Sequence, residues 1–257
     1  MLLNTLTFYL IAAGFSLAIF AIMLAFARLQ PGTLATRSCA GAIMVFAVAF
    51  LGSGFGPYLP RWTTVMGTNM LFIAALVMLH AGFAAYCLER KATPDWFGWA
   101  LVAATALPFW YWGLVEPNGH HRSAVFSLAA FLVVIRTGRI SFKAAQRQSR
   151  NLPLRIVAAI FILSALWMAI RFVISISAEA PPPELRGSNP TTWVTVFWFI
   201  VTVSVMAIAV MWLDATRKND QSVIDHTGAP SQPGQPDLFR NRRFLLWGGT
   251  LILVFVP

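Results

Sequence analysis

The segment Trp193-Val-Thr-Val-Phe-Trp-Phe-Ile-Val-Thr-Val-Ser-Val-Met-Ala-Ile-Ala-Val-Met-Trp-Leu213 decides the fold class of this chain. It carries no charged side chain, and as a helix it is long enough to cross a hydrocarbon core of about 30 Å. Similar apolar runs recur at residues 5–27, 38–58, 64–88, 96–115, 123–142 and 156–177. They lack the alternation of barrel strands, and only helices or closed barrels satisfy the backbone in lipid. The sequence therefore predicts an all-α, polytopic membrane bundle of seven transmembrane helices.

The composition of the 257 residues agrees with this prediction. Hydrophobic residues make up 58% of the chain and charged residues only 11%, with a mean hydropathy of +0.69. A soluble domain carries about 25% charged residues, so this chain would expose too much apolar surface to water. A secreted enzyme, a nucleic-acid-binding domain and a disordered regulator are therefore excluded.

The positive charges predict the orientation of the bundle. Nearly all of the 19 Lys and Arg residues lie in the connections after the first, third, fifth and seventh apolar runs; the exceptions are Arg61, Arg122, Arg171 and Arg186. Cytoplasmic loops collect Lys and Arg, so the N-terminus is expected outside. The net charge of +10 is then an orientation signal that also suits contact with lipid head groups, and it requires no nucleic-acid partner.

The last part of the chain predicts two further segments. Residues 214–243 form a polar and basic linker with several prolines, and residues 244–257 begin another apolar run. That run spans at most about 20 Å as a helix, which is too short to cross a bilayer. We expect a seven-helix domain at residues 1–213, a cytoplasmic linker at 214–243 and an incomplete eighth helix at 244–257.

Two ionisable side chains, Arg171 and His80, are predicted to lie at membrane depth, where such residues are functional candidates. Arg171 is either the counter-ion of an anionic ligand, of Glu116 or of Glu179, or a side chain that extends outward to the interface. His80 is predicted to form a polar contact between helices. The candidate ligand-binding residues are Arg171, Trp110, Trp112, His120, His121 and Asn69.

Several kinds of chemistry have no matching residues. No acidic residue falls inside a predicted span, which argues against a proton or cation transporter, and every lysine lies in a loop. We find no catalytic motif, no metal-ligand spacing and no histidine pair for haem, so no enzyme activity, cofactor or metal is expected. Cys39 and Cys87 fall near cytoplasmic helix ends and are expected to stay reduced.

Three stretches carry a resemblance to a known family: residues 86–96, the basic residues 136–155, and residues 160–171 that follow them. They resemble the seven-helix N-terminal sensory regions of bacterial membrane-bound signalling proteins, especially diguanylate cyclases with a C-terminal GGDEF domain. The resemblance implies a homodimeric receptor in the bacterial inner membrane with its N-terminus in the periplasm. Such a receptor passes an external or membrane-borne stimulus, as a small-molecule or lipid ligand, to a covalently linked cytoplasmic output domain in cyclic-di-GMP signalling. This chain holds no GGDEF, EAL or kinase motif, so the output domain is expected outside it.

Two other interpretations are open on the sequence. A small transporter or permease subunit would use a discontinuous helix in the short fifth run, whose purely apolar part is residues 124–135. A membrane scaffold would only dimerise its partners, with Gly52, Gly54 and Gly56 as candidate contacts between helices.

Overall fold

The computed structural model describes residues 2–29, 34–88, 95–147, 152–177 and 190–227. Within these ranges the chain forms seven α-helices and no strand, which confirms the predicted all-α class. The helices are α1 (Leu2–Leu29), α2 (Leu34–Gly54), α3 (Thr68–Leu88), α4 (Trp96–Trp110), α5 (Gly119–Arg147), α6 (Leu152–Ser177) and α7 (Pro190–Thr227). The predicted eighth helix at residues 244–257 lies outside the described residues.

All seven helices belong to segments that are long and apolar enough to cross a membrane. The candidate spans are Leu6–Arg28, Thr36–Gly54, Thr63–Cys87, Trp96–Val115, Gly119–Arg147, Leu152–Ser177 and Trp193–Ala215. The chain is therefore a multi-pass membrane protein.

Six helices form a closed ring in the order α1, α2, α3, α5, α6, α7, and α7 returns to contact α1. Helix α4 lies outside this ring against α3 and α5. The most extensive packing joins α5 to α6, α2 to α3 and α1 to α2, whereas α7 touches its neighbours α6 and α1 over shorter stretches. Helix α7 is consequently the ring member with the least packing against its two flanking helices.

Side-chain contacts distinguish two ends of the ring. At one end, here called the basic end, Thr36 of α2 contacts Asp214 of α7, and Arg136 of α5 contacts Asp95, the residue before α4. At the other end, here called the opposite end, Phe8 of α1 packs on Trp193 of α7, with ring centroids 4.3 Å apart. Helices that follow one another in the chain run antiparallel, as short connections require, whereas the ring neighbours α3 and α5, and likewise α7 and α1, run parallel.

Five phenylalanines fill the centre of the ring. Phe72 of α3 lies 4.9 Å from Phe50 and 6.0 Å from Phe46, both on α2, measured between ring centroids. It also lies 6.2 Å from Phe126 of α5 and 6.1 Å from Phe199 of α7. Because lipid is as apolar as these rings, their contribution to stability comes from packing and not from exclusion of water. This phenylalanine cluster joins four of the six ring helices.

Two π-helical turns interrupt the regular helices at the opposite end, at Thr63–Gly67 and Tyr111–Val115. The second follows Pro108, which has no N–H to donate to the preceding turn. The helix then changes its hydrogen-bond spacing, so that the Glu116 amide donates to the Tyr111 carbonyl at 2.9 Å. The irregular backbone therefore lies in the third and fourth spans.

Two expectations from the sequence are corrected here. Helix α5 is continuous from Gly119 to Arg147, so the fifth span is not a discontinuous helix. The three candidate scaffold glycines pack inside the chain: a Cβ atom at Gly52 would lie 2.7 Å from Thr68, one at Gly56 2.7 Å from Thr64, and one at Gly54 3.1 Å from Tyr9. Their small size therefore permits close approach of segments within the chain.

Candidate functional site

Arg171 lies in the last two turns of α6, facing the interior of the ring at its opposite end. Its guanidinium carbon is 5.4 Å from the centroid of the Phe126 ring, a member of the phenylalanine cluster. Tyr9 of α1 is close enough to interact with it electrostatically. The Nε atom of Arg171 is shielded from solvent and has no hydrogen-bond partner among the described residues.

No carboxylate pairs with Arg171 within the described part of the chain. The described ion pairs involve only His80, Asp95 and Arg136. Glu116, one of the two counter-ions considered from the sequence, instead accepts a hydrogen bond from the Tyr111 hydroxyl at 2.9 Å. The other, Glu179, lies outside the described residues. A cation over an aromatic face keeps some stabilisation, but its full charge still attracts an anion.

The other predicted ligand-binding residues gather around the start of α5. Trp112 packs edge-on against His121 with centroids 5.0 Å apart, and the backbone amides of His120 and His121 donate to the Asn118 side chain. The ring Nε2 of His120 is buried without a hydrogen-bond partner in the described structure. Trp110, at the end of α4, is 46% exposed and so suits an interfacial anchor.

The structure does not join this group to Arg171 by any contact between described side chains. Asn69, the remaining candidate, donates at 2.6 Å to the carbonyl of Val65 in the π-helical turn before α3 and contacts neither group. The residues next to Arg171 that sequence reasoning missed are Phe126 and Tyr9. Both are ordinary core residues by pattern, and only the packing of α5 on α6 and the closure of the ring bring them near Arg171.

Hydrogen bonds between indoles and hydroxyls connect α6 to α7. The Trp198 Nε1–H of α7 donates to the Ser164 hydroxyl of α6 at 2.7 Å, and Thr202 shares a 3.2 Å contact with the same hydroxyl. Closer to the opposite end, the Trp167 indole donates to Thr195 at 3.2 Å. These bonds, which we call the α6–α7 polar seam, hold the sparsely packed helix α7 in register.

A second polar cluster lies at the basic end. Arg136 donates two parallel hydrogen bonds to the carboxylate of Asp95, each 3.1 Å long, and its guanidinium also covers the ring of Phe97 at 4.4 Å. The Asp95 side chain is 11% exposed. It reaches this position because α4 begins close to α3, where a Cβ atom at Gly98 would lie 2.6 Å from Val77.

His80 of α3 completes the cluster. The Thr137 hydroxyl donates to the carbonyl of Val133 at 2.9 Å, so its oxygen accepts a hydrogen bond from His80 Nδ1, also 2.9 Å away. In neutral His80 this leaves Nε2 without a proton, and Nε2 faces an Asp95 oxygen at 3.7 Å. A second proton on His80 would therefore convert two facing acceptors into a charge-assisted contact.

The basic end also holds a buried carboxylate on α7. Asp214 is 2% exposed and accepts a hydrogen bond of 2.6 Å from the Thr36 hydroxyl of α2. Beside it, the Tyr86 hydroxyl of α3 donates to the carbonyl of Leu213 at 3.3 Å. These contacts attach α7 to α2 and α3 where it leaves the ring.

The expectation that no acidic residue lies within a span was wrong for Asp214, which falls inside the candidate span Trp193–Ala215. Arg136 and Lys143, both assigned from the sequence to a loop, lie within the continuous helix α5. The position of Asp95 directly before an apolar run is a helix-start signal, and small residues continue the apolar pattern of α5 through Gly138, Ser141 and Ala144. Those two signals were available, but the pairing of Asp95 with Arg136 required the packing of α4 on α5.

Comparisons with known proteins leave the family open. No family model matches this chain, and no curated protein or solved structure matches it either. The resemblance to the sensory regions of GGDEF proteins therefore stays a prediction, and what is shown is a multi-pass membrane protein with seven candidate transmembrane helices.

Proposed function

We propose that this protein is a sensory membrane domain in which α7 carries a change of state from the opposite end of the ring to the basic end. The N-terminus then lies in the periplasm and the basic end faces the cytoplasm of a bacterial cell. The proposed stimulus is a small-molecule or lipid ligand, and the proposed output is a cytoplasmic domain linked to α7, as in cyclic-di-GMP signalling.

The observation that carries this proposal is the length of α7. The helix runs unbroken for 38 residues, from Pro190 to Thr227, whereas its candidate membrane span ends at Ala215. At 1.5 Å per residue it is about 57 Å long, roughly twice the thickness of the hydrocarbon core. A rigid helix that extends beyond the bilayer transmits a shift or rotation of its membrane part to the segment that follows.

The packing of α7 supports the same interpretation. Its contacts with α6 and α1 are sparse compared with those between α5 and α6. Besides its apolar contacts inside the ring, which include Phe199 of the phenylalanine cluster, α7 forms hydrogen bonds at two places: in the α6–α7 polar seam toward the opposite end and at Asp214 at the basic end. We infer that directional bonds at two separate sites allow α7 a second discrete position, the kind of alternative arrangement that two-state signalling requires.

The test weakens the α6–α7 polar seam and measures the position of α7 relative to α5 at the basic end. Spin labels are placed on Arg139→Cys of α5 and Lys218→Cys of α7, in a chain whose native cysteines carry Cys39→Ala and Cys87→Ala. Trp198→Phe removes the indole donor to α6. We expect the distance distribution between the labels, measured by double electron–electron resonance in nanodiscs, to shift or broaden by about 2 Å, the size of typical signalling helix shifts.

The control is Trp99→Phe, which makes the same chemical change on α4, where Trp99 is 43% exposed and away from α7. Its distribution should match that of the labelled parent chain. If Trp198→Phe also leaves the distribution unchanged, α7 does not couple the two ends and the sensory proposal fails.

The second candidate function is a proton-coupled transporter or permease subunit. It is favoured by one specific observation, the buried Asp214 and His80 with the nearly buried Asp95 at the basic end, because ionisable groups enclosed in a membrane bundle are typical of proton relays. Proteoliposomes containing only this chain and an internal pH dye distinguish the two functions. Proton entry driven by a potassium–valinomycin potential, and lost in Asp95→Asn, would favour transport over sensing.

A further inference from the structure

We propose that Arg171 binds the anionic head of an amphiphile, a carboxylate or phosphate attached to an apolar chain. This inference rests on the proposed function, because it names the ligand of the sensory end. It moves the binding site from the tryptophans of the α4–α5 region to the inner face of α6.

The charge of Arg171 is not balanced by any described side chain. Arg171 sits over Phe126 with a shielded, unpartnered Nε, and no described carboxylate pairs with it. An arginine in an apolar environment is stable only when an anion or water compensates its charge. A planar guanidinium offers parallel donors that match a carboxylate or phosphate better than a neutral ligand.

A further hydrogen-bond donor lies near Arg171. Ser175 lies one helical turn from Arg171 on the same face of α6 and donates to the Ser123 hydroxyl of α5 at 2.9 Å. The Ser123 hydroxyl proton has no acceptor among the described hydrogen bonds, although its oxygen is used. It is therefore available to an oxyanion held by Arg171.

The apolar surface around Arg171 favours an amphiphile over a free anion. Arg171 lies six residues before the end of α6, about 9 Å along the axis, near the depth of lipid head groups. Its neighbours Ile170, Val173 and Ile174 are 44%, 56% and 44% exposed on the outside of α6. An apolar chain can lie along them while the anionic head reaches inward beside the sparsely packed α7.

The test measures binding by native mass spectrometry of the full chain in neutral detergent. The probes are dioleoylphosphatidylglycerol for a bilayer source, dodecanoate for a soluble source, and inorganic phosphate and phosphatidylcholine for comparison. We expect phosphatidylglycerol, dodecanoate or both to bind at least about tenfold more tightly than phosphatidylcholine and inorganic phosphate. Of phosphatidylglycerol and dodecanoate, the probe that binds more tightly shows whether the ligand comes from the bilayer or from solution.

Variants locate the site. Arg171→Gln should weaken binding of the anionic amphiphile about tenfold or more, whereas Arg171→Lys, which keeps the charge, should weaken it less. Arg61→Gln removes the same charge from an exposed position at the same end and should bind like the unmodified chain. A thermal unfolding curve for each variant confirms that it is folded.

The proposal is overturned if Arg171→Gln binds the anionic amphiphile as tightly as the unmodified chain does. It is also overturned by a second result, in which the unmodified chain binds no amphiphile and Arg171→Gln and Glu179→Gln lose the same thermal stability. The second result would assign Glu179 as the counter-ion. Mass spectrometry measures binding independently of any movement of α7. An amphiphile that binds at Arg171 but does not move α7 therefore contradicts only the sensory proposal. A label shift in Trp198→Phe without amphiphile binding contradicts only the ligand.

Discussion

Replacing Asp95 with alanine is expected to lower the free energy of unfolding by about 2–3 kcal/mol, because it leaves Arg136 with no carboxylate at the basic end. Removing one partner of a fully buried ion pair costs about 3–5 kcal/mol. The expected value is smaller because the Arg136 side chain is 36% exposed and water compensates part of its charge. Unfolding by sodium dodecyl sulfate in mixed micelles, followed by circular dichroism, measures the difference.

The matched control is Glu116→Ala, which removes an exposed carboxylate that also accepts a side-chain hydrogen bond. Its cost should stay below about 1 kcal/mol, as for other exposed polar pairs. The double variant Asp95→Ala with Arg136→Met should recover part of the lost stability, since no unpaired charge is left. If Asp95→Ala lies within about 0.5 kcal/mol of the unmodified chain, the cluster has no structural role.

Truncating Phe72 to alanine is expected to have the largest effect on packing, about 3 kcal/mol of unfolding free energy. Phe72 lies within 6.2 Å of four other rings, measured between centroids, so its removal leaves a cavity at the centre of the ring of helices. Phenylalanine-to-alanine changes in soluble cores cost about 3–5 kcal/mol. The lower figure applies because burial from lipid adds little transfer free energy.

Phe197→Ala provides the comparison for the same chemical change. Phe197 is 62% exposed on the outside of α7, where lipid replaces the lost ring. Its unfolding free energy should differ from that of the unmodified chain by less than about 1 kcal/mol. Equal losses in Phe72→Ala and Phe197→Ala would show that the phenylalanine cluster does not hold the ring together.

The fold class followed from the sequence because the constraint is simple. A chain with this few charges must satisfy its backbone in lipid, and apolar length then locates each helix. The end of α5 was harder to place, because charged residues such as Arg136 and Arg139 are typical of loops. In the structure Arg136 pairs with Asp95, and Arg139 lies on an exposed face of the helix. Apolar runs alone therefore underestimated this helix.

The candidate sites were only partly predictable. Arg171 and His80 stood out as ionisable residues in apolar runs, which is a property of the sequence alone. Their partners Phe126 and Thr137 did not, because both lie on α5 and meet them only through helix packing. Asp214 was missed for another reason: it directly follows an apolar run, and only its 2% exposure shows that the ring encloses it.

The central claim is that α7 connects the two ends of the ring. The spin-labelled pair at Arg139 and Lys218 tests this claim most directly when the bilayer is changed and no further substitution is made in the ring. The distance distribution is measured in nanodiscs of phosphatidylcholine and again with about a third of phosphatidylglycerol added, a change that acts on the bilayer around the whole protein. We predict a shift of about 2 Å that disappears in Arg171→Gln. Identical distributions in the two bilayers, together with no response to Trp198→Phe, would contradict the account.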